Sequence, residues 1–152
     1  MTVTRFNGER VFFFGGEAGW YWGDILETAG TMEVLAGDVS ADEPYQDYSL
    51  GGMLFSLKLA AASSSGKTLY PLLGIRLGFG LVYYNTDAPP EQSLGIFGFL
   101  EPFLSLRLRL SKAAILSLNL GRRQSTGSNL AALDALDLST FTYGLSFMWE
   151  SY

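Results

Sequence analysis

The residues of this chain that could do chemistry are few and widely spaced. Glu17, Lys58, Arg76, Glu101, Arg107, Arg109, Arg123 and Glu150 each sit among apolar, glycine or small polar neighbours. Histidine and cysteine are both absent from the 152 residues. That removes the commonest general base, the thiolate nucleophile and zinc–thiolate sites, so a Ser-His-Asp arrangement cannot be built. We therefore expect no enzyme, no catalytic residues, no cofactor and no metal site. Isolated acids and bases of this kind have two other uses. They can pair in an enclosed space, which offsets the cost of removing them from water, or they can line a narrow path that an excess of arginine would make favourable to anions.

The elements that must position these charges show a period of two. In Leu94–Ser111, LGIFGFLEPFLSLRLRLS, the even positions Leu100, Pro102, Leu104, Leu106, Leu108 and Leu110 are apolar, and the odd positions include Glu101, Ser105, Arg107 and Arg109. A helix would scatter such a set around its circumference; a strand puts it on two faces. Thr68–Tyr84 repeats the pattern, with Leu69, Pro71, Leu73, Ile75, Leu77, Phe79, Leu81 and Tyr83 against Gly74, Arg76, Gly78, Gly80 and Tyr84. In Arg10–Trp22 we read Phe12, Phe14, Gly16, Ala18, Trp20 and Trp22 as the outer face because the other row holds Glu17. Tyr48–Leu59 sets Met53, Phe55, Leu57 and Leu59 against Gly52, Ser56 and Lys58. Ala114, Leu116, Leu118 and Leu120 oppose Ser117, Asn119, Gly121 and Arg123, and Ser139–Trp149 sets Phe141, Tyr143, Leu145, Phe147 and Trp149 against Thr140, Thr142, Gly144, Ser146 and Met148.

Thr31–Val39 is the weakest strand, and Gly23–Gly30 reads as turn. Thr2–Phe6, ahead of the Asn7-Gly8 hairpin signal, is too short to span a bilayer, so the first strand is expected to be truncated, absent or completed by a partner. Pro102 lacks a ladder donor and suggests a bulge that would turn Phe97 and Phe99 outward. Ser63–Gly66 and Ser111-Lys112 are short turns, whereas Asn85–Gln92 and Gln124–Asp137 are long connections, the second with a helical turn in LAALDAL. The loop carboxylates Asp38, Asp42, Glu43, Asp47, Asp87, Glu91, Asp134 and Asp137 lack calcium-loop spacing and read as solvated.

Composition agrees with sheet. The chain is 48% hydrophobic and 14% aromatic and carries 18 glycines, yet no run of about eighteen apolar residues marks a membrane helix. A net charge of −5 argues against nucleic acid. The segment MTVTRFNGER has no secretory-signal pattern, so an export signal is expected upstream if the protein is exported.

The face opposite the apolar rows is mostly Gly, Ser, Thr and Asn, which suits a narrow lumen better than a solvent surface. The expected fold is all-β, one domain over 1–152, an antiparallel up-and-down transmembrane barrel of eight strands with seven of them clear. Trp20, Trp22, Tyr83 and Trp149 then read as interfacial anchors, and Glu17, Lys58, Arg76, Glu101, Arg107, Arg109 and Arg123 as a lumen charge network. A soluble lipocalin-like barrel, leucines inward, is the alternative.

Thr142, Gly144, Phe147 and Trp149 resemble the C-terminal assembly signal of outer-membrane β-barrels, and the alternation along the chain is similar to that of small OmpX, OmpW and OmpA-type barrels. Glu150-Ser151-Tyr152 follow Trp149, the last aromatic of this motif, where those proteins typically end on it. The resemblance implies a bacterial outer-membrane location, short turns in the periplasm, long loops outside, and membrane lipids and the barrel assembly machinery as partners. It implies a structural or surface-interaction role with a largely plugged lumen; a porin-like small pore or passive carrier for ions or small or hydrophobic solutes is the second possibility.

Overall fold

A computed structural model describes residues 1–6, 9–22, 26–36, 48–62, 68–86, 92–128 and 140–149. Eight strands follow one another: β1 (Thr2–Phe6), β2 (Glu9–Trp22), β3 (Leu26–Ala36), β4 (Tyr48–Ala62), β5 (Leu69–Thr86), β6 (Gln92–Arg109), β7 (Ala114–Ser128) and β8 (Thr140–Trp149). Each pairs antiparallel with its sequence neighbours, and β1 returns to β8, so the sheet closes into a barrel. An eight-strand barrel has an interior just wide enough for side chains to fill, and the period-two pattern decides which ones fill it.

The leucine rows face out. Leu57, Leu73, Leu77 and Phe147 are 73%, 67%, 57% and 61% exposed, while Glu101, Arg107 and Arg123 are each 1% exposed. A soluble barrel would show the reverse, with leucines enclosed and charges in water. Strand length agrees: β4 to β7 exceed the roughly 9–11 residues that a tilted strand needs to cross hydrocarbon.

Several expectations are corrected by the register. The first strand is present, though short. Thr2–Phe6 is β1, pairing with β2 from Thr2↔Phe13 to Phe6↔Glu9 and with β8 at Thr2↔Gly144 and Val3↔Tyr143. The segment read as turn over Gly23–Gly30 is mostly strand, since β3 (Leu26–Ala36) starts opposite Trp22. Its Ala, Gly and Glu residues have low strand propensity, and pairing on both edges overrides that preference. By the same effect β5 continues through Thr86, β6 begins at Gln92 and β7 reaches Ser128, so the connections there are shorter than expected.

Pro102 does not produce a bulge. Ile75↔Pro102 sits in an unbroken β5–β6 ladder, and Leu100↔Gln124 and Phe103↔Gly121 keep one register with β7 on either side of it. The irregularity lies between Phe97 and Gly98 on the β7 side. Phe97 and Phe99 consequently stay inside, 2% and 4% exposed. They fit because each inward phenylalanine of β6 faces a glycine of β5: Phe97 opposite Gly80, Phe99 opposite Gly78, Phe103 opposite Gly74. A Cβ on Gly80 would lie 2.3 Å from the Phe97 ring, so the ring occupies the volume the missing side chain leaves.

The turn at Ser111 is as expected. Its hydroxyl accepts hydrogen bonds from the Ala113 and Ala114 amides at 3.3 and 3.1 Å, and the Leu110 amide donates to the Ala114 carbonyl at 2.9 Å. Asn7-Gly8, Ser63–Gly66, LAALDAL, the loop carboxylates and Glu150 lie outside the described residues.

Candidate functional site

The inward rows converge on two clusters of buried charge. In the first, Lys58 of β4 bridges two carboxylates, Glu17 of β2 and Glu27 of β3, the latter at 2.6 Å. Glu27 in turn meets the Arg107 guanidinium of β6 at 2.6 Å, and Arg107 donates to the Tyr21 hydroxyl at 2.9 Å. In the second, Glu101 of β6 lies between two arginines, Arg76 of β5 at 2.9 Å and Arg123 of β7 at 2.7 Å, and accepts a further hydrogen bond from the Thr142 hydroxyl at 3.1 Å. Arg123 reaches Glu33 at 3.5 Å, and the Thr2 hydroxyl donates to Glu33 at 2.6 Å.

Strand alternation brings these groups together. Register places Lys58 opposite Arg76, and Arg76 opposite Glu101, so three strands deliver +, + and − at one level of the barrel. Room for the Glu101 carboxylate comes from Gly121, where a Cβ would sit 2.9 Å from Oε1. Aromatic faces complete the shell. The Arg76 guanidinium lies 4.8 Å from the Phe103 ring centroid and that of Arg123 lies 4.7 Å from Phe99, favourable orientations for cations removed from water.

Six of the seven residues expected to form the lumen network, Glu17, Lys58, Arg76, Glu101, Arg107 and Arg123, are members of these clusters. Arg109, at the end of β6, is half-buried. Sequence reasoning missed Glu27 and Glu33, and with them the balance of the interior. Lys58, Arg76, Arg107 and Arg123 pair with Glu17, Glu27, Glu33 and Glu101, the first of the two arrangements that isolated lumen charges allow. The signal was present: Glu27, Thr31 and Glu33 share the parity of the inward row, opposite Tyr21, Glu17 and Gly15, once β3 is started at Leu26.

The expected anchors divide by position. Trp20, Trp22 and Trp149 point outward and are 72%, 63% and 72% exposed, all near the barrel end where β2 meets β3 and β6 meets β7. Trp22 also donates its indole N–H to the Thr28 hydroxyl at 2.8 Å. Tyr83 lies toward the other end of β5, and its side chain is outside the described set. Of the four residues that resemble an assembly signal, Thr142 and Gly144 face in, and Phe147 and Trp149 face out.

A cavity of about 640 Å³ lies beside the charged clusters, with Glu17, Glu33, Arg76, Asn119 and Ser146 among its walls. Among the described residues no three carboxylates gather as a metal site.

No family model and no curated protein matches the chain. The fold does have a solved counterpart. The N-terminal β-barrel domain of Pseudomonas aeruginosa OprF superposes with a TM-score of 0.65 over 97% of this chain and 91% of that one, at 14% sequence identity. The chain is thus similar in fold to that barrel domain, built on a largely different sequence.

Proposed function

We propose that the chain is an integral protein of a bacterial outer membrane, with a structural or surface-interaction role and a lumen closed by its own ion pairs. The observation that carries this reading is the inversion of the wall: rows of large apolar side chains on β2 and on β4 to β8 face out, and Glu27, Lys58, Arg76, Glu101, Arg107 and Arg123 are enclosed. Only hydrocarbon makes such a surface favourable, at about 25 cal/mol per Å² of apolar area kept from water. Closure of the lumen follows from Glu101 and Lys58, each held between two opposite charges that would have to separate before a solute passed. Catalysis has no part in this reading, because the chain offers neither histidine nor cysteine.

In this arrangement the strand ends at Trp22, Leu26, Ala62, Leu69, Arg109, Ala114 and Trp149 lie on the periplasmic side, and those at Ala36, Tyr48, Thr86, Gln92, Ser128 and Thr140 on the outer side. Trp20, Trp22 and Trp149 then anchor the periplasmic interface, where amphipathic rings are favoured. Membrane lipids are the immediate partners, and Thr142, Gly144, Phe147 and Trp149 are read by the barrel assembly machinery.

A narrow solute path is the second reading, and the cavity beside Glu17, Glu33 and Arg76 favours it. Single-channel recording in a planar bilayer separates the two. A closed lumen gives no steady conductance. Steady conductance abolished by Arg107→Ala and Arg109→Ala would establish the path and overturn the plug.

A further inference from the structure

The outward rows that make the wall apolar also hold three cations, and strand pairing sets them in one line. On β7 the row runs Leu116, Leu118, Leu120 and then Arg122. Arg122 is exposed, and its guanidinium carbon lies 5.8 Å from the ring centroid of Phe141, its partner across the β7–β8 ladder. On β1 and β2 the outward pair Val3↔Phe12 is followed two places on by Arg5↔Arg10, in the same row by alternation. Continuing Thr2↔Gly144 and Val3↔Tyr143 by two places sets Arg5 level with Phe141. The line across β7, β8, β1 and β2 therefore reads Arg122, Phe141, Arg5, Arg10. Among the described residues no other lysine or arginine, and no aspartate or glutamate, belongs to an outward strand row.

The line lies at one end of the apolar band. Phe6, Glu9 and Thr140 end their strands there, and Trp20, Trp22 and Trp149 mark the opposite end. From Phe141 to Trp149 is eight residues of β8, about 26 Å along the strand and about 20 Å across a bilayer at a tilt of roughly 40°. That is close to the height of the apolar band of an outer-membrane barrel, so an arginine stem extended from this line brings its head to headgroup level, where an outward charge is tolerated. Neighbouring strands are about 4.8 Å apart, and like charges directly opposite each other repel. Arg5 opposite Arg10 thus calls for an anion that no described outward residue supplies.

We infer that this arginine line is a binding site for the phosphate of an anionic membrane-lipid headgroup, in the leaflet at the arginine end of the barrel. The inference rests on the reading that the outward wall meets lipid, and it names which lipid that wall selects. Guanidinium forks match phosphate oxygens bidentately, whereas a zwitterionic headgroup brings a cation of its own to the same place. Phe141, 61% exposed, interrupts the line between Arg5 and Arg122 with an apolar surface. The glycerol and first methylenes of a lipid cover that ring; a free phosphate leaves it bare.

The test uses the whole chain folded into neutral dodecyl maltoside micelles. Dioctanoyl phosphatidylglycerol and dioctanoyl phosphatidylcholine are added at equal concentration, and the lipids retained are counted by native mass spectrometry. Phosphatidylglycerol should be retained at least ~10-fold more than phosphatidylcholine, as charge-assisted pairing implies. The combined Arg5→Gln, Arg10→Gln and Arg122→Gln protein should show a ratio below ~2, and Arg122→Gln alone should lower the ratio at least ~3-fold. Lys112→Gln, in the turn between β6 and β7 at the tryptophan end, should leave it unchanged. A ratio near one in the unaltered protein, a ratio that survives the triple substitution, or displacement of the lipid by an equal concentration of inorganic phosphate would each overturn the inference. Flotation with neutral phosphatidylcholine vesicles separates this from the membrane reading. A chain that floats but shows no anionic preference is a membrane barrel without the site; a chain that does not float removes the membrane reading and the inference with it.

Discussion

Between β5 and β6 the ladder runs without a break from Leu69↔Leu108 to Asn85↔Gln92, whereas β1 meets β8 at Thr2↔Gly144 and Val3↔Tyr143, with Met1 and Leu145 bonded beside them. The first region has its inner face filled by Phe97, Phe99 and Phe103 over Gly80, Gly78 and Gly74, with Arg76 and Glu101 paired across it. The second is lined by Gly15, Gly16, Ala18 and Gly19, all exposed, with one hydroxyl, that of Thr2, reaching a charged partner across the lumen. Closing a sheet therefore does not make its wall uniform. Stability resides where backbone pairing, ring packing and ion pairing coincide.

The largest effect should come from the centre of the continuous wall. Glu101→Ala leaves Arg76 and Arg123 buried beside each other without their shared carboxylate, and removing one partner of such a pair costs about 3–5 kcal/mol. Urea unfolding of the protein reconstituted in lipid should show that loss. A change under ~1 kcal/mol would mean that water reaches both arginines and that the plug is open. On the outer face of the same wall, Leu77→Arg should cost about 2–4 kcal/mol in a bilayer, because Leu77 lies mid-strand and points out. In a soluble barrel the same exposed position would tolerate arginine within about 0.5 kcal/mol, so this one variant separates the two surroundings.

Gly80→Val tests the ring packing of that wall. Its Cβ would enter the space of the Phe97 ring and of the Leu54 side chain, the latter at 2.8 Å, and overpacking of this kind costs about 1–3 kcal/mol. The double variant Gly80→Val with Phe97→Ala should recover part of the loss in the same unfolding assay. Failure to recover would show that the backbone, rather than the ring, needs the glycine.

Which parts of this were legible in the sequence follows from how the signals arise. Alternation is strong where one face is mostly leucine, so β5, β6 and β7 could be read as strands, and Arg76, Glu101, Arg107 and Arg123 placed inside. It is weak where the outward row is Leu26, Thr28, Gly30, Met32, Val34, and there Glu27 was lost in a supposed turn and Glu33 left out of the network. Pro102 was over-read, because the absence of a donor constrains one edge of a residue and not its facing. The glycine–phenylalanine matching across β5 and β6 is invisible until register is known, since it relates residues 17 to 29 positions apart whose separation is set by strand pairing.

The smallest expected effect belongs to the seam. Thr2→Ala removes the hydroxyl that donates to Glu33 and nothing from either ladder, so the barrel should lose only about 1 kcal/mol. Its informative consequence is local. Glu33 would then be held chiefly by Arg123 at 3.5 Å, a looser contact than any in the β5–β6 wall, and exchange should quicken at Thr2 and Val3 while Phe99–Leu108 remain unchanged. If Thr2→Ala speeds exchange in both regions equally, the barrel opens as one unit, and the seam and the wall are not separable in stability, however different they are in construction.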